Sequence, residues 1–421
     1  MAPTSRSEPL RRPPLFWLLL PFACGYGGGY FLRNINAVAG PLLAQEFGLD
    51  AGGLGLLTSA YFLVFALAQI PLGIALDRYG PARVNALMLV TAALGATIFA
   101  CADSVAALTI GRCLIGLGAS AALMSAMSAV HLWAGPARAA TCIGLILMVG
   151  GVGAILAGTP TQWAIDRLGW RAVFLATAAF SCLTACLTVA IARHSRPVAA
   201  GQSLRRLIGG VAAVHRDPHF WRMCVPMMAI IGTMMAFQSL WAGTWMRDVA
   251  GYTDRIAIGN VLVAFTLGMT AAFGLAGWIA DRLDARGIAR LVIFKAYMLV
   301  ALGAQMWIMA APTLLPHLAW ALLGFGANAL FIGYSLLASR FPPEMTGRLN
   351  TSVNLLSFAA AFVLQWGIGA VVNLWPATAT GYARTGYFVA WSILLLLQLA
   401  GFAWLVSGTR DGVPGRRPSR A

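Results

Sequence analysis

The chain has 421 residues, of which 60% are hydrophobic and only 10% are charged. Soluble domains carry about 25% charged residues, so this composition excludes a soluble globular protein and indicates an integral membrane protein. The formal net charge is +16, from 29 Lys and Arg against 13 Asp and Glu. Because the basic residues lie in short loops between apolar segments, they indicate membrane topology rather than nucleic-acid binding.

Apolar segments long enough to cross a bilayer follow one another along the chain and predict an all-α integral membrane protein with twelve transmembrane helices. The predicted spans are 15–43, 53–76, 84–102, 105–131, 139–162, 171–192, 221–247, 257–280, 289–311, 314–339, 348–373 and 384–407. Most are about 20 residues or longer, which covers the hydrocarbon core with some tilt.

The long basic connection at 193–220 divides these helices into two groups of six. We predict an amino-terminal six-helix bundle over 15–192 and a carboxyl-terminal one over 221–407, with tails at 1–14 and 408–421. Most arginines lie in the tails, this linker and the loops on their side of the membrane. The opposite side holds Arg167, Arg171, Arg247, Arg255 and Arg384. Since basic loops stay in the cytoplasm, both tails and the linker are predicted to be cytoplasmic.

A short charged turn joins the second and third predicted helices. From Gly73 to Arg83 it reads Gly-Ile-Ala-Leu-Asp-Arg-Tyr-Gly-Pro-Ala-Arg. We expect Gly73 to permit close helix contact and Gly80 to supply a positive φ. A close variant, Gly-Trp-Ile-Ala-Asp-Arg-Leu-Asp-Ala-Arg-Gly, starts at Gly277, an offset of 277 − 73 = 204 residues. An offset near half the chain indicates two pseudo-symmetric bundles made by duplication.

These turns resemble the signature of the major facilitator superfamily of secondary transporters, which is a Gly, an Asp-Arg pair four residues on, then a Gly and basic residues. The resemblance implies a conformational switch made of Gly73, Asp77, Arg78, Gly80 and Arg83 in the first copy and Gly277, Asp281 and Arg282 in the second. The second copy departs from the pattern, because Asp284 stands where Gly80 would align. Two unrelated basic loops are the alternative interpretation.

The resemblance also implies a mechanism. Duplicated six-helix bundles place a substrate site near the membrane midplane, between the bundles, and expose it to each side in turn. In the family, the residue that matches Asp77 faces the amino end of helix 11, where the helix dipole favours an anion. We therefore expect Asp77 to help hold the outward-facing state.

Two arginines lie inside predicted spans, Arg33 in the first helix and Arg112 in the fourth. A mid-helix arginine costs at least about 2.5 kcal/mol to insert, so it needs a partner or a wet cavity. All 13 acidic residues fall in tails, loops or span ends, so the predicted partner is an anionic substrate. Proton coupling would then use the substrate or a group near the mouth, such as Glu46. Alternatively, Arg112 bonds helix-1 carbonyls and Arg33 snorkels to the outer surface.

Under the duplication, Arg33 aligns with Gln238 of the seventh helix (33 + 205 = 238) and is predicted to face it across a central cavity. Asn354 and Gln365 lie near one face of the eleventh helix, and a polar face in a membrane points to the bundle interior. The predicted substrate-binding residues are therefore Arg33, Arg112, Asn34, Gln238, Trp241, Asn354 and Gln365. Trp241 and Trp245 are alternatively aromatic anchors at the membrane interface.

We predict a secondary active transporter of a bacterial inner membrane that moves a small organic anion by alternating access. The alternatives are efflux of a hydrophobic or zwitterionic compound and a receptor or assembly factor that moves nothing. Motifs for enzymatic catalysis are not found, so we expect no catalytic residues, no metal and no cofactor. The predicted partners are the small-molecule substrate and membrane lipid, without nucleic acid, and the predicted state is a monomer.

Overall fold

The computed structural model describes residues 14–134, 136–192, 212–341, 345–378 and 381–408. The predicted tails and most of the predicted linker lie outside these residues. Within them, eleven helices are long and apolar enough to cross a membrane, or twelve if the bent pair Thr141–Leu156 and Thr159–Leu168 is one span. The prediction of an all-α membrane protein with twelve spans is confirmed.

The described helices make twelve passages across the membrane, which we call crossings 1 to 12. Crossings 1, 4, 5, 7 and 10 each contain two helices, and each of the others is one helix. In chain order the helices are α1 (Leu15–Asn34), α2 (Asn36–Phe47), α3 (Ala51–Tyr79), α4 (Pro81–Ala100), α5 (Val105–Ala119), α6 (Ala122–Trp133), α7 (Pro136–Leu156), α8 (Thr159–Leu168), α9 (Trp170–Ala192), α10 (Pro218–Ala236), α11 (Ala242–Asp248), α12 (Arg255–Asp284), α13 (Arg290–Ala310), α14 (Pro316–Ala329), α15 (Ile332–Ala338), α16 (Thr346–Val372) and α17 (Arg384–Ser407). A π-turn, Phe237–Trp241, joins α10 to α11.

Polar caps explain where several crossings begin. Asp50 accepts a hydrogen bond from the backbone N–H of Gly53 at 2.6 Å, and α3 starts at the next residue. Asp254 accepts one from the N–H of Ile256 at 2.8 Å at the start of α12. A side-chain oxygen at the N-cap satisfies an N–H group that has no helical partner. These caps start the helices two residues ahead of the predicted spans, because the polar first turn carries little hydropathy signal.

Crossing 1 differs from its prediction as one span over 15–43. It breaks at Ile35, so that α1 ends at Asn34 and α2 begins at Asn36. Crossings 4, 7 and 10 are also interrupted, between α5 and α6, within the π-turn, and between α14 and α15. The interruption therefore recurs at every third crossing in both halves of the chain. Crossing 5 is bent as well, by 46° between α7 and α8.

The amino half (residues 14–192) and the carboxyl half (residues 212–408) pack in the same way. Crossing 1 packs on crossing 5 through α1 and α7, and crossing 7 packs on crossing 11 through α10 and α16. Similarly, α3 contacts α5 as α12 contacts α14, and α4 contacts α9 as α13 contacts α17. Each pair recurs six crossings later, which confirms two pseudo-symmetric bundles. The predicted boundary at 193–220 stays a prediction.

Contacts between the halves extend from one membrane face past the middle of the membrane. We call this face, which carries the connection from α2 to α3, the distal face, and the opposite face the terminal face. Asn373 donates to Asp50 at 2.9 Å at the distal helix ends, and Thr159 donates to Asn260 at 2.9 Å more than one turn inside α12. Nearer the middle, Phe65 stacks on Phe358 with ring centroids 3.7 Å apart. The structure is therefore closed on the distal side.

The charged turn at Gly73–Arg83 only partly matches its prediction. Gly80 has φ +80° and links α3 to α4, as expected of a glycine in a tight turn. The expectation for Gly73 is wrong, because a methyl group at that position would meet no atom within 4 Å. Arg78 and Arg83 are exposed. Asp77 lies in α3, but its side chain lies outside the described part of the chain.

The second copy of the turn has its own chemistry. A methyl group at Gly277 would also meet nothing within 4 Å. Arg290 donates to Asp281 at 2.8 Å and to Asp284 at 3.1 Å, so the two carboxylates share one arginine. The positive φ of +87° falls on Gly287 instead. Asp284, which breaks the motif in the sequence, thus belongs to an ion-pair cluster at the end of α12.

Candidate functional site

Arg33 and Gln238 form a hydrogen bond that joins the two halves of the protein. Arg33 Nη2 donates to Gln238 Oε1 at 3.1 Å, and both residues are buried, with 4% and 3% of their surface exposed. The duplication correctly paired these positions, but the prediction of an open cavity between the two side chains is wrong. The burial of Arg33 also excludes the snorkelling alternative.

The π-turn brings Gln238 to this position. The backbone N–H of Ala242 donates to the carbonyl of Phe237, five residues earlier rather than four. A π-turn inserts one extra residue into a helix and occurs frequently at functional sites. Here the extra residue lies on the stretch of crossing 7 that contacts crossing 1.

Among the described residues, the charge of Arg33 has no counter-ion. Its guanidinium lies 3.9 Å from the ring centroid of Tyr30, a cation–π contact. None of the ion pairs among the described residues includes Arg33. Arg33 Nε and Gln238 Nε2 are buried and have no hydrogen-bond partner in the described part of the chain. The pair therefore offers a charged donor and a neutral donor to a ligand oxygen.

Arg112 makes the contact that its structural alternative requires. It is fully buried, and its Nη1 donates to the carbonyl oxygen of Leu32 at 2.8 Å. Leu32 lies in the last turn of α1, where carbonyl groups lack helical partners. The guanidinium also lies 5.3 Å from the ring centroid of Tyr61. Arg112 thus supports the break in crossing 1 directly behind Arg33.

A second polar cluster lies next to Gln238 in the carboxyl half. Ser239 donates to Gln365 Oε1 at 2.6 Å, and Trp241 Nε1 donates to the backbone carbonyl of Gln365 at 3.0 Å. Gln365 is fully buried, and its Nε2 has no partner among the described residues. These bonds fix the π-turn against α16.

The two remaining polar candidates lie apart from this cluster. Asn34 is buried and donates to the backbone carbonyl of Tyr30 at 2.9 Å, within its own helix. Asn354 donates to Gln69 at 2.7 Å, so it ties α16 to α3 across the halves. Eleven residues separate Asn354 from Gln365, which is roughly 16 Å along a helix. Neither Asn34 nor Asn354 is therefore bonded to the cluster around Gln238 and Gln365.

Neither tryptophan of the π-turn region is an interfacial anchor. Trp241 and Trp245 are fully buried. Trp245 stacks on Trp391 with ring centroids 3.7 Å apart and also contacts Phe388. These rings form part of the core of the carboxyl half, and the face of Trp245 is already covered.

A buried carboxylate at a helix end escaped the sequence analysis. Asp248 ends α11, and its side chain is 2% exposed. It accepts hydrogen bonds from Arg247 at 2.5 Å and 2.9 Å, from the Tyr387 hydroxyl at 2.8 Å and from the Tyr382 backbone at 3.2 Å. Burial raises the pKa of the Tyr382 phenol to about 12. The adjacent Arg-Asp pair at a span end was the signal, but it did not reveal the burial.

Glu46 is bound within the amino half at the distal face. Arg171 lies 2.6 Å from Glu46 Oε1, and Trp170 Nε1 donates to Oε2 at 2.8 Å. Both partners of the carboxylate thus belong to the start of α9. Glu46 links crossings 1 and 6, and it does not reach the Arg33–Gln238 pair.

Two proteins that resemble this chain along most of its length are transporters by name. The protein named Uncharacterized transporter YybO of Bacillus subtilis (strain 168) is 23% identical over an alignment that covers 90% of this chain and 88% of its own. The Hexuronate transporter of Escherichia coli (strain K12) is also 23% identical, with 87% and 90% covered.

The fold is that of solved transporters. A bacterial homologue of the human lysosomal transporter Spinster, in an inward-facing and occupied conformation, superposes with a TM-score of 0.74 at 16% identity and covers 95% of this chain and 98% of its own. The family model described as Major Facilitator Superfamily matches residues 22–365. Because this match spans most of the chain, the protein belongs to the Major Facilitator Superfamily of secondary transporters.

Proposed function

We propose that this transporter moves a small organic anion and that Arg33 binds the anionic group. The observation that supports this assignment is a buried guanidinium without a carboxylate partner at the contact between the two halves. A buried arginine is stabilised by an anion or by several hydrogen bonds. In the described residues Arg33 has one bond to a neutral amide, so a carboxylate would supply the missing charge.

The chemistry of the guanidinium favours a carboxylate. Its planar fork donates two parallel hydrogen bonds, and Arg33 has a partner on Nη2 but none on Nε among the described residues. The nearby donor Gln365 Nε2, which has no partner among the described residues, suits a hydroxyl group of a polyhydroxylated acid. The name of the hexuronate transporter among the relatives supports the same substrate class.

The transport cycle that we propose is alternating access between bundles 15–192 and 221–407. The distal side is closed in this structure, so the complementary state would separate Asp50 from Asn373 and Thr159 from Asn260. Asp77, Gly80 and their counterparts around Asp281 would act as the switch at the terminal face. In this cycle Asp77→Asn should lower turnover while leaving expression intact.

Uptake into proteoliposomes tests the substrate class. D-galacturonate is the probe, and D-galactose, which carries CH₂OH in place of the carboxylate, is the matched neutral control. We expect uptake of the acid and not of the neutral sugar. Uptake of neither, with transport of a hydrophobic or zwitterionic compound, would favour the efflux alternative. Transport of none of these would favour the non-transporting receptor.

Variants of Arg33 test its role in binding. Arg33→Ala should weaken D-galacturonate binding by about tenfold to a hundredfold, because a hydrogen bond to a charged group is lost. Arg33→Lys should weaken it less, because lysine keeps the charge but loses the fork. Arg167→Ala is the control, since this arginine is exposed and its guanidinium lies 4.2 Å from the ring centroid of Trp163. Binding by Arg33→Ala at the wild-type level would refute the assignment.

A further inference from the structure

We propose that Gln238 is an internal stand-in for the substrate. Its amide oxygen binds Arg33 in the substrate-free protein and must leave before a substrate anion can bind. In this role Gln238 is a positioning residue that ties substrate binding to separation of the two halves. The inference rests on the proposed anion-binding role of Arg33.

The geometry of the pair fits such a stand-in. An oxygen atom of Gln238 lies 3.1 Å from Arg33 Nη2, which is the position that a ligand oxygen would take. The amide belongs to the carboxyl half and the guanidinium to the amino half, so this single bond bridges the two. Both side chains are buried, and water competes little with the bond.

The bond is strong enough to form and weak enough to be displaced. An amide oxygen carries no net charge, whereas a carboxylate does. In both contacts the donor is the charged guanidinium, but only a carboxylate adds the attraction between opposite charges and can accept two parallel hydrogen bonds. A substrate carboxylate therefore outcompetes Gln238 for Arg33, and a neutral sugar does not. Gln238 thus also helps to select anions.

The backbone at Gln238 supplies a way for it to withdraw. Gln238 lies in the π-turn Phe237–Trp241, whose extra residue can be removed by a local change to α-helical hydrogen bonding. That change rotates the side chains of the turn relative to α10. Release of Arg33 would then accompany a shift of α11 against the rest of crossing 7.

This turn also carries the close packing of the distal side. A methyl group built on Gly40 of α2 would lie 2.8 Å from Leu240, and one built on Gly243 would lie 2.5 Å from the carbonyl oxygen of Ala37. Crossings 1 and 7 therefore touch directly beyond the Arg33–Gln238 bond. A substrate that displaces Gln238 breaks the Arg33–Gln238 hydrogen bond at the base of this contact.

Ligand binding gives the first test. If the free protein is held mainly in the bonded state, removal of the bond raises the fraction that can bind substrate. Gln238→Ala should therefore bind D-galacturonate about three- to tenfold more tightly than wild type. Gln238→Glu places a carboxylate of the protein against Arg33, so this variant should bind D-galacturonate at least about tenfold more weakly than wild type.

The controls distinguish the loss of the Arg33–Gln238 hydrogen bond from the loss of a buried amide in general. Gln398→Ala removes a buried glutamine that bonds to Thr233 within the carboxyl half, and it should leave affinity unchanged. Gln238→Met, which keeps the volume of the side chain, replaces Gln238→Ala if the alanine variant does not fold. Equal or weaker binding by Gln238→Ala and Gln238→Met would mean that the amide contacts substrate directly, and the stand-in would be refuted.

The substrate-free protein gives a second test that needs no ligand. Spin labels at Leu168→Cys and Leu374→Cys, in a background without native cysteines, report the separation of the halves on the distal face, where both leucines are exposed. Pulsed electron paramagnetic resonance should give one short distance between the labels in wild type and an additional, longer distance in Gln238→Ala. An unchanged distance distribution in Gln238→Ala would overturn the proposal that the Arg33–Gln238 bond holds the two halves together. Loss of binding by Arg33→Ala together with that result would leave the proposed function standing.

Discussion

Arg33 and Arg112 are both buried arginines in neighbouring crossings, yet their partners give them different roles. Arg112 donates to a main-chain carbonyl of α1, a partner that no ligand can replace without disturbing the helix. Arg33 donates to a side-chain amide of the other half, which in our proposal the substrate displaces. The two side chains thus differ because the partner of Arg112 is a main-chain group and the partner of Arg33 is a side-chain group.

Removal of Arg112 should therefore destabilise the protein. Arg112→Ala should lower the free energy of unfolding by about 1.5–3 kcal/mol, because a buried hydrogen bond from a charged donor is lost and the Leu32 carbonyl is left unpaired. Arg112→Lys should recover part of this loss. The measurement is the thermal unfolding midpoint of the purified protein in detergent. Wild-type stability combined with lost D-galacturonate binding would instead make Arg112 a substrate-binding residue.

Close helix packing depends on glycines at contact points rather than on glycines in general. Gly116 of α5 lies against the backbone of Tyr61 in α3, where a methyl group would lie 2.9 Å from the Tyr61 Cα. Gly303 of α13 has open space, with no atom within 4 Å of such a methyl group. The two positions look alike in the sequence, since both lie in apolar helical segments.

Substitution by alanine should separate these two glycines. Gly116→Ala should destabilise the protein by about 1–3 kcal/mol, because the methyl group forces α5 away from α3. Gly303→Ala should stabilise it by about 0.5–1 kcal/mol, since alanine is the better helix former. Unfolding midpoints of both variants, measured side by side, check this. Equal effects at the two sites would contradict the helix contact at Tyr61.

The sidedness of the molecule connects the closed face with the transport cycle. The arginine distribution predicts that the terminal face is cytoplasmic. With that orientation, the distal contacts would close the outer side in this structure. The outer side would open when these distal contacts separate.

Labelling of single cysteines tests this orientation. Leu374→Cys lies on the distal face and Tyr79→Cys at the terminal face, and both positions are exposed. In a background without native cysteines, a membrane-impermeant maleimide should label Leu374→Cys in intact cells and Tyr79→Cys only after permeabilisation. The reverse pattern would place both termini outside. It would leave the fold intact but invert the direction of the closed state.

The amino-acid order alone contained the membrane class, the number of crossings and the equivalence of Arg33 and Gln238 under the duplication. The length of an apolar segment determines whether it can cross the membrane, and an internal repeat determines which positions are equivalent. Both properties follow from the sequence without the tertiary structure. The turn at Gly80 was also predictable, because a positive φ is a local property of a glycine between two helices.

Three-dimensional packing decided which polar atoms pair and which glycines touch. The predicted cavity between Arg33 and Gln238 is a hydrogen bond, Gly73 has no close neighbour, and Asp248 is buried beneath Tyr382 and Tyr387. The position of Gln238 opposite Arg33 depends on the π-turn at Phe237–Trp241, which rotates the side chains that follow it. Such rotations arise from contacts between distant segments, and a regular helical period read from the chain does not contain them.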